Sequence, residues 1–271
     1  MTDTTLQNPY AMPGSALQET TAPGQAPSLE QALSRGYDFS IGSLLGEAWS
    51  KTKGTKGVIW GSYLVFCGAM MVASFLLSII LSVFGVLGAL GASSLGDSAG
   101  GGLLAAGVFG FFVIGLGAGL VMLAVVYPFV AGINMVGIRQ AAGQPVRFGE
   151  VFSHFGRTLP LLLAAILMGI LVNVGFFLFV IPGIYLAVAF LLTIPLIVER
   201  KLSAWDAMLV SCKAINQHWF KVFFLYLLLG VIMMISMIPL GIGLIWTVPM
   251  FIVAQGILYR TIFGVLPAPA N

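Results

Sequence analysis

Few side chains in this chain are suited to catalysis or metal binding. His154 and His218 are the only histidines, and neither is followed at the third or fourth position by a Cys or a carboxylate that could complete a metal site. Cys67 and Cys212 also lack partners at the spacing of a metal site or a disulfide framework. We therefore expect no enzyme activity, no metal site, no cofactor and no catalytic residue.

Two further patterns favour helix packing rather than chemistry. Gly115, Gly117 and Gly119 superficially resemble a nucleotide-binding loop, but they lie in an apolar run without a preceding strand, and close helix contact is the better interpretation. Asn173 is the polar residue predicted nearest to the middle of a bilayer. It is the candidate intramembrane polar contact, either as an interhelical hydrogen bond, which is favoured, or as a substrate contact.

The glycines and Asn173 lie in long apolar segments that make up most of the chain. The chain is 59% hydrophobic and 8% charged, too few charges for a soluble surface. Its net charge of +3 is explained by the basic residues between the apolar segments, so we expect no nucleic-acid binding. Four runs, 57–96, 98–138, 158–198 and 222–259, contain no charged residue. A membrane span needs roughly 20 residues. Gly/Ser-rich residues 91–102 separate the first two runs, and turns at Pro182-Gly183 and Pro239-Leu240-Gly241 divide the last two.

Six spans follow from this arithmetic, at about 57–87, 105–138, 158–181, 183–198, 220–238 and 241–260. All twelve Lys and Arg residues then lie on one side, which the positive-inside rule assigns to the cytoplasm. The sequence predicts a bacterial inner-membrane protein with both termini cytoplasmic. Residues 1–27 are predicted to be a disordered cytoplasmic tail, and 28–271 the six-span membrane domain.

A segment with helical apolar periodicity precedes the first, third and fifth spans. The apolar positions include Leu44 and Ala48, then Phe152 and Phe155, then Trp205 and Met208, with polar residues opposite. Each segment predicts an amphipathic helix resting at the cytoplasmic interface. The fold prediction is an all-α polytopic bundle of six transmembrane helices in three quasi-repeated units, each with an amphipathic helix, an outward span and an inward span kinked at Pro128, Pro195 or Pro249.

Several motifs of the second and third units carry a resemblance to a known group. They are Phe179-Val-Ile-Pro-Gly-Ile-Tyr, Ile194-Pro-Leu-Ile-Val, Leu202-Ser-Ala-Trp-Asp-Ala-Met and His218-Trp-Phe-Lys-Val-Phe. The chain resembles a poorly characterised group of bacterial multi-pass inner-membrane proteins, similar to the membrane domain fused to some glycerophosphodiester phosphodiesterases. The resemblance covers roughly residues 37–264 and implies the fold and topology. It implies no established activity, and we do not expect phosphodiesterase chemistry from residues 1–271.

Two functions remain open at this stage. The leading hypothesis is a non-enzymatic membrane protein that engages membrane lipids, a protein partner or a second copy of itself through its cytoplasmic face. Seven residues are candidate lipid or partner contacts: Trp49, Lys51, Lys53, Lys56, Arg200, Lys201 and Trp205. The alternative is a passive permease or lipid-handling transporter, which a cavity lined by Asn173 and the three kink prolines would favour. Coupled transport is disfavoured, because the four apolar runs that form the spans contain no Asp, Glu, Lys, Arg or His.

Overall fold

The protein is predominantly helical in residues 26–93 and 97–267, the parts of the chain that the computed structural model describes, and these parts contain no strand. The predicted disordered tail lies almost entirely outside the described residues. Ten α-helices follow in chain order: α1 Leu29–Ser34, α2 Ile41–Lys51, α3 Lys56–Ser93, α4 Asp97–Ala141, α5 Thr158–Leu178, α6 Val180–Ala189, α7 Thr193–Glu199, α8 Ala204–Asn216, α9 Trp219–Met237 and α10 Leu244–Phe263. Two short 3-10 helices, Phe148–Phe152 and Phe155–Arg157, connect α4 to α5.

Six segments are long and apolar enough to cross a membrane, which confirms the predicted class of multi-pass helical membrane protein. They are Lys56–Val86, Gly107–Ala141, Phe148–Leu178, Val180–Glu199, Trp219–Met237 and Leu244–Phe263. The fourth combines α6 and α7, which are separated by a short irregular link at residues 190–192.

The two predicted hairpin turns differ in how they form. Between α9 and α10 the turn lies at the predicted position, and both Leu240 and Gly241 have positive φ there. Between α5 and α6 it lies at extended Phe179, earlier than the predicted Pro182-Gly183. Pro182 instead occupies the first turn of α6, where a missing N–H costs nothing because that position has no intrahelical acceptor. A Cβ on Gly183 would lie 2.4 Å from the Phe176 ring, so this close approach requires glycine.

α3 and α4 are longer than the sequence predicts. The described residues of the Gly/Ser-rich stretch 91–102 are helical, because α3 continues to Ser93 and α4 begins at Asp97. With 38 and 45 residues, and a rise of 1.5 Å per residue, the helices are about 57 and 68 Å long, roughly twice the hydrocarbon thickness. No side chain described in 64–86 or 107–121 is buried. The predicted close packing of Gly115, Gly117 and Gly119 is wrong, since a Cβ there would meet no described atom within 4 Å.

The bundle is centred on the crossing of α4 and α10. A Cβ on Gly137 would lie 2.3 Å from the Ile252 carbonyl oxygen, and one on Gly256 would lie 2.2 Å from the Gly137 carbonyl oxygen. The two backbones are therefore in direct contact, which only glycine at both positions allows. α7 is buried along its whole length beside this crossing.

The three segments predicted as amphipathic helices have different structures. α2 and α8 are α-helices, whereas residues 148–157 form two 3-10 helices rather than one α-helix. α8 buries a face of small residues, including Ala207, Ser211 and Ala214, and exposes Trp205 and Leu209. Ser203 caps α8: its hydroxyl accepts a hydrogen bond from the Asp206 N–H and lies 2.6 Å from the Asp206 carboxylate.

Candidate functional site: an intramembrane cavity and the charged end of the bundle

The link between α6 and α7 is stabilised by side chains of two other helices. Pro195 has no N–H, so the carbonyl of Leu191, four residues earlier, has no intrahelical donor. The Gln255 Nε2 of α10 donates to that carbonyl at 3.2 Å. Ser211 of α8 donates to the Ala189 carbonyl at 2.7 Å and accepts from the Leu192 N–H at 3.2 Å. The proline kink predicted at Pro195 is thus a break between two helices in which side chains of α8 and α10 provide the missing hydrogen bonds.

The same substitution of a side chain for a missing backbone donor occurs at Pro249. Because proline cannot donate, the Ile245 carbonyl within α10 is free. The indole Nε1 of Trp60 in α3 donates to it at 3.1 Å. Prolines in membrane helices are tolerated where neighbouring groups satisfy the freed carbonyl. Here the donors come from different helices, so each interruption also ties two helices together.

A cavity of about 500 Å³ lies beside both interruptions. It is formed by α3, α4, α9, α10 and the α6–α7 link, and its lining is mostly apolar. The lining residues are Trp60, Tyr63, Val130, Ile133, Asn134, Leu191, Ile194, Met233, Val248, Phe251, Ile252 and Gln255. Its polar groups are therefore two amides, a phenol and an indole.

Asn134 is distinctive among these groups. Its side-chain amide has no hydrogen-bond partner among the described residues, although it lies within the span Gly107–Ala141. Gln255 uses its Nε2 on Leu191, which leaves its Oε1 without a donor among the same residues. The NH₂ and the oxygen of Asn134 and the Oε1 of Gln255 can therefore form hydrogen bonds with a molecule bound in the cavity.

Asn173, the predicted intramembrane contact, is elsewhere. It is exposed on α5, and its Nδ2 donates at 2.7 Å to the Gly169 carbonyl of the same helix. It does not line the described cavity, nor do Pro128, Pro195 or Pro249, although Ile194 and Val248 beside two of these prolines do. Asn134 and Gln255 were visible in the sequence as intramembrane amides, but no sequence signal placed them at a common cavity.

The charged segments meet at one end of the bundle and largely satisfy one another. Glu47 of α2 accepts two hydrogen bonds from Arg260 of α10, both at 2.9 Å. Lys51 Nζ lies 3.2 Å from Glu47 and donates to the Ala141 carbonyl at 2.6 Å. The hydrogen bond from Arg260, together with that from Lys51, lowers the pKa of Glu47 despite the opposing effect of burial.

Arg200, another candidate lipid or partner contact, is also occupied within the protein. Its side chain is 9% exposed and lies 3.5 Å from Glu199. It donates to the carbonyls of Pro27, at 3.0 Å, and of Phe263 at the end of α10. Cations at the C-terminal end of a helix stabilise its unpaired carbonyls. Lys51 and Arg200 therefore have structural contacts that weaken their case as outward-facing residues.

The other five candidate contacts are more accessible. Trp49 and Trp205 are 54% and 55% exposed, and Lys53 and Lys201 are exposed without an ion pair in the described part of the chain. Lys56 Nζ lies 5.0 Å from the centroid of the Trp246 ring, a cation–π contact. Trp49, Thr52, Lys53, Lys56 and Trp246 together line a second, smaller pocket of about 130 Å³.

The contacts of the two histidines are not those of metal ligands. His154 Nδ1 lies 3.2 Å from the Ser153 hydroxyl, and His218 makes an edge contact with the Tyr37 ring. No group of three or more His, Cys, Asp or Glu side chains among the described residues could hold a metal ion. Cys67 is exposed on α3, and Cys212 is half-buried on α8.

Comparison with models of protein families, with curated proteins and with solved structures finds no match.

Proposed function

We propose that this protein is a non-enzymatic membrane protein that binds a lipid or another amphipathic membrane molecule in its intramembrane cavity. The observation that carries the proposal is a cavity of about 500 Å³, formed by several helices, in which the Asn134 amide has no hydrogen-bond partner from the part of the chain that the structure describes. This is the lipid-handling alternative predicted from the sequence, with a different site. Lys51 and Arg200 donate hydrogen bonds within the protein. The charged end of the bundle is therefore a weaker candidate than the cavity for the primary binding site.

The cavity's size and chemistry suit such an occupant. Small-molecule sites commonly measure about 300–1,000 Å³ and combine apolar walls with a few polar groups. A polar amide in an apolar setting is unfavourable unless it is hydrogen-bonded. A lipid ester carbonyl can accept a hydrogen bond from the Asn134 amide and a lipid hydroxyl can donate to the Gln255 Oε1, while the acyl chain contacts Ile133, Met233 and Phe251. The lining binds and orients such a molecule.

Native mass spectrometry of the purified chain tests this proposal. Val130→Trp puts a large side chain into the cavity and should remove most of the co-purified lipid. Val121→Trp, on the same helix but outside the cavity and 65% exposed, is the matched control and should retain it. Equal lipid retention by the two variants, with both folded, would overturn the proposal.

A second candidate function is engagement of the membrane surface, a protein partner or a second copy through the charged end. It is favoured by the accessible Trp49, Lys53, Lys201 and Trp205. A photo-crosslinking residue at position 205 distinguishes the occupants by mass, as lipid, a defined partner or the chain itself. The same probe at exposed Leu159 is a control outside the group. An identical product spectrum at both positions would exclude a specific surface.

A further inference from the structure

We infer that the pocket between Trp49 and Trp246 binds the phosphodiester of an anionic glycerophospholipid. The pocket measures about 130 Å³, and its lining also includes Thr52, Lys53 and Lys56. This inference rests on the second candidate function, whose broad surface it narrows to one site and one ligand chemistry. It is independent of the cavity, with which the pocket shares no lining residue.

The pocket is assembled from separate parts of the chain. Trp49 belongs to α2, Thr52 and Lys53 to the connection that follows, Lys56 begins α3, and Trp246 is in the first turn of α10. Thr52 is 2% exposed, and its hydroxyl donates to the Ala48 carbonyl at 2.7 Å, which anchors the connection on α2. Trp246 is also held in place, because Trp60 donates to the carbonyl of its neighbour Ile245.

The charges in the pocket are not balanced within the described residues. Lys53 and Lys56 have no ion pair there, and the nearest acidic residue along the chain, Glu47, is taken by Lys51 and Arg260. Lys56 is also the first residue of α3, where the helix dipole is positive and a cation is disfavoured. Two ammonium groups close together therefore favour an anion, and a phosphate oxygen is a strong acceptor for lysine.

The surroundings favour a lipid as the source of that phosphate. Trp49 and Trp246 are 54% and 39% exposed, and tryptophan at the membrane–water interface is typical of lipid headgroup depth. The pocket itself has room for little beyond a phosphate. Further along α3, Leu64 is 77% exposed, and Ile245, the neighbour of Trp246 in α10, is 44% exposed, so both helices present apolar surface along which acyl chains can lie.

The test measures lipid retention by native mass spectrometry after the full chain is reconstituted in phosphatidylglycerol or in phosphatidylcholine nanodiscs. The pocket variant is the double substitution Lys53→Gln with Lys56→Gln. The control is Arg157→Gln with Lys213→Gln, which removes the same charge from two positions that are not among the candidate lipid or partner contacts. Each lysine near an anionic surface contributes about fivefold in affinity, so the pocket variant should bind phosphatidylglycerol roughly 30-fold more weakly. The control should change little, and phosphatidylcholine should be retained weakly by all.

Three results would overturn the inference. Equal losses in the pocket variant and the control would mean a diffuse charge effect, and no loss in the pocket variant would remove the site. Displacement of phosphatidylglycerol by millimolar inorganic phosphate would exclude lipid as the committed occupant. Trp246→Leu, which keeps both charges, should also weaken retention, whereas Trp246→Phe should preserve most of it. Val130→Trp, which fills the cavity, should leave the phosphatidylglycerol bound at the Trp49–Trp246 pocket unchanged. This variant therefore distinguishes failure of the pocket inference from failure of the cavity proposal.

Discussion

The Gln255 side chain donates to the Leu191 carbonyl at 3.2 Å, and Leu191 lies four residues before Pro195. The amide of α10 thus replaces the backbone donor that proline lacks. Gln255 also lines the cavity beside this contact. One side chain therefore holds the interrupted fourth span against the sixth and forms part of the candidate ligand site, so its loss should affect both.

Gln255→Leu is expected to destabilise the protein by about 1–2 kcal/mol, because an interhelical hydrogen bond in a membrane contributes about 0.6 kcal/mol on average and the buried carbonyl is left without a donor. Thermal or denaturant unfolding in detergent measures the change. Gln255→Glu, protonated at low pH, keeps the size and should recover part of the loss as the pH falls. Unchanged unfolding for Gln255→Leu would show that the link needs no external donor.

Asn173→Leu should leave stability within about 0.5 kcal/mol of wild type, since the amide bonds only to the Gly169 carbonyl of its own helix and faces outward. It should also leave cavity lipid unchanged. The same unfolding assay and native mass spectrometry check both points. Loss of co-purified lipid at unchanged stability would restore Asn173 as a ligand contact.

Gly137→Ala should destabilise the bundle by roughly 1–3 kcal/mol or more, because its Cβ would lie 2.3 Å from the Ile252 carbonyl oxygen and the α4–α10 crossing would have to open. Gly115→Ala on the same helix is the matched control. A Cβ there meets no described atom, and alanine favours helix by up to about 1 kcal/mol. Similar unfolding midpoints for the two variants would contradict the backbone contact.

The Glu47–Arg260 contact should make stability fall in acid. The pKa of Glu47 is lowered from its ordinary value of 4.5, chiefly by the hydrogen bond from Arg260. The stabilisation is therefore present above about pH 4.5 and is lost as the pH falls through the lower folded-state pKa. Glu47→Gln should be less stable than wild type at pH 7, and the difference should shrink below pH 4. If the stability difference between Glu47→Gln and wild type did not change with pH, the loss of stability would be due to packing rather than to the charge of Glu47.

Membrane orientation can be tested with reporter fusions. A reporter that requires the cytoplasm should be active when fused after Lys201, and a periplasmic reporter should be active near Asp97, because basic residues are retained inside. Periplasmic activity after Lys201 would reject the proposed orientation of both termini.

The apolar runs predicted the helical class and the number of spans because a stretch of uncharged residues long enough for a bilayer is a local property of the chain. The Ser203 cap is equally local, since its partner is three residues away. The end of α5 at Phe179 was missed, because proline is accepted both in a turn and in the first turn of a helix.

The site depended on contacts between residues far apart in the chain. Composition alone made Gly115, Gly117 and Gly119 as suitable for helix contact as Gly137 and Gly256, yet only the last two lie at a crossing. Likewise, Asn134, Asn173 and Gln255 are equivalent intramembrane amides in sequence. The sequence determined that such amides exist inside the spans; the tertiary structure decided that Asn173 faces outward while Asn134 and Gln255 line a cavity, because the rotation and crossing of each helix are set by its neighbours.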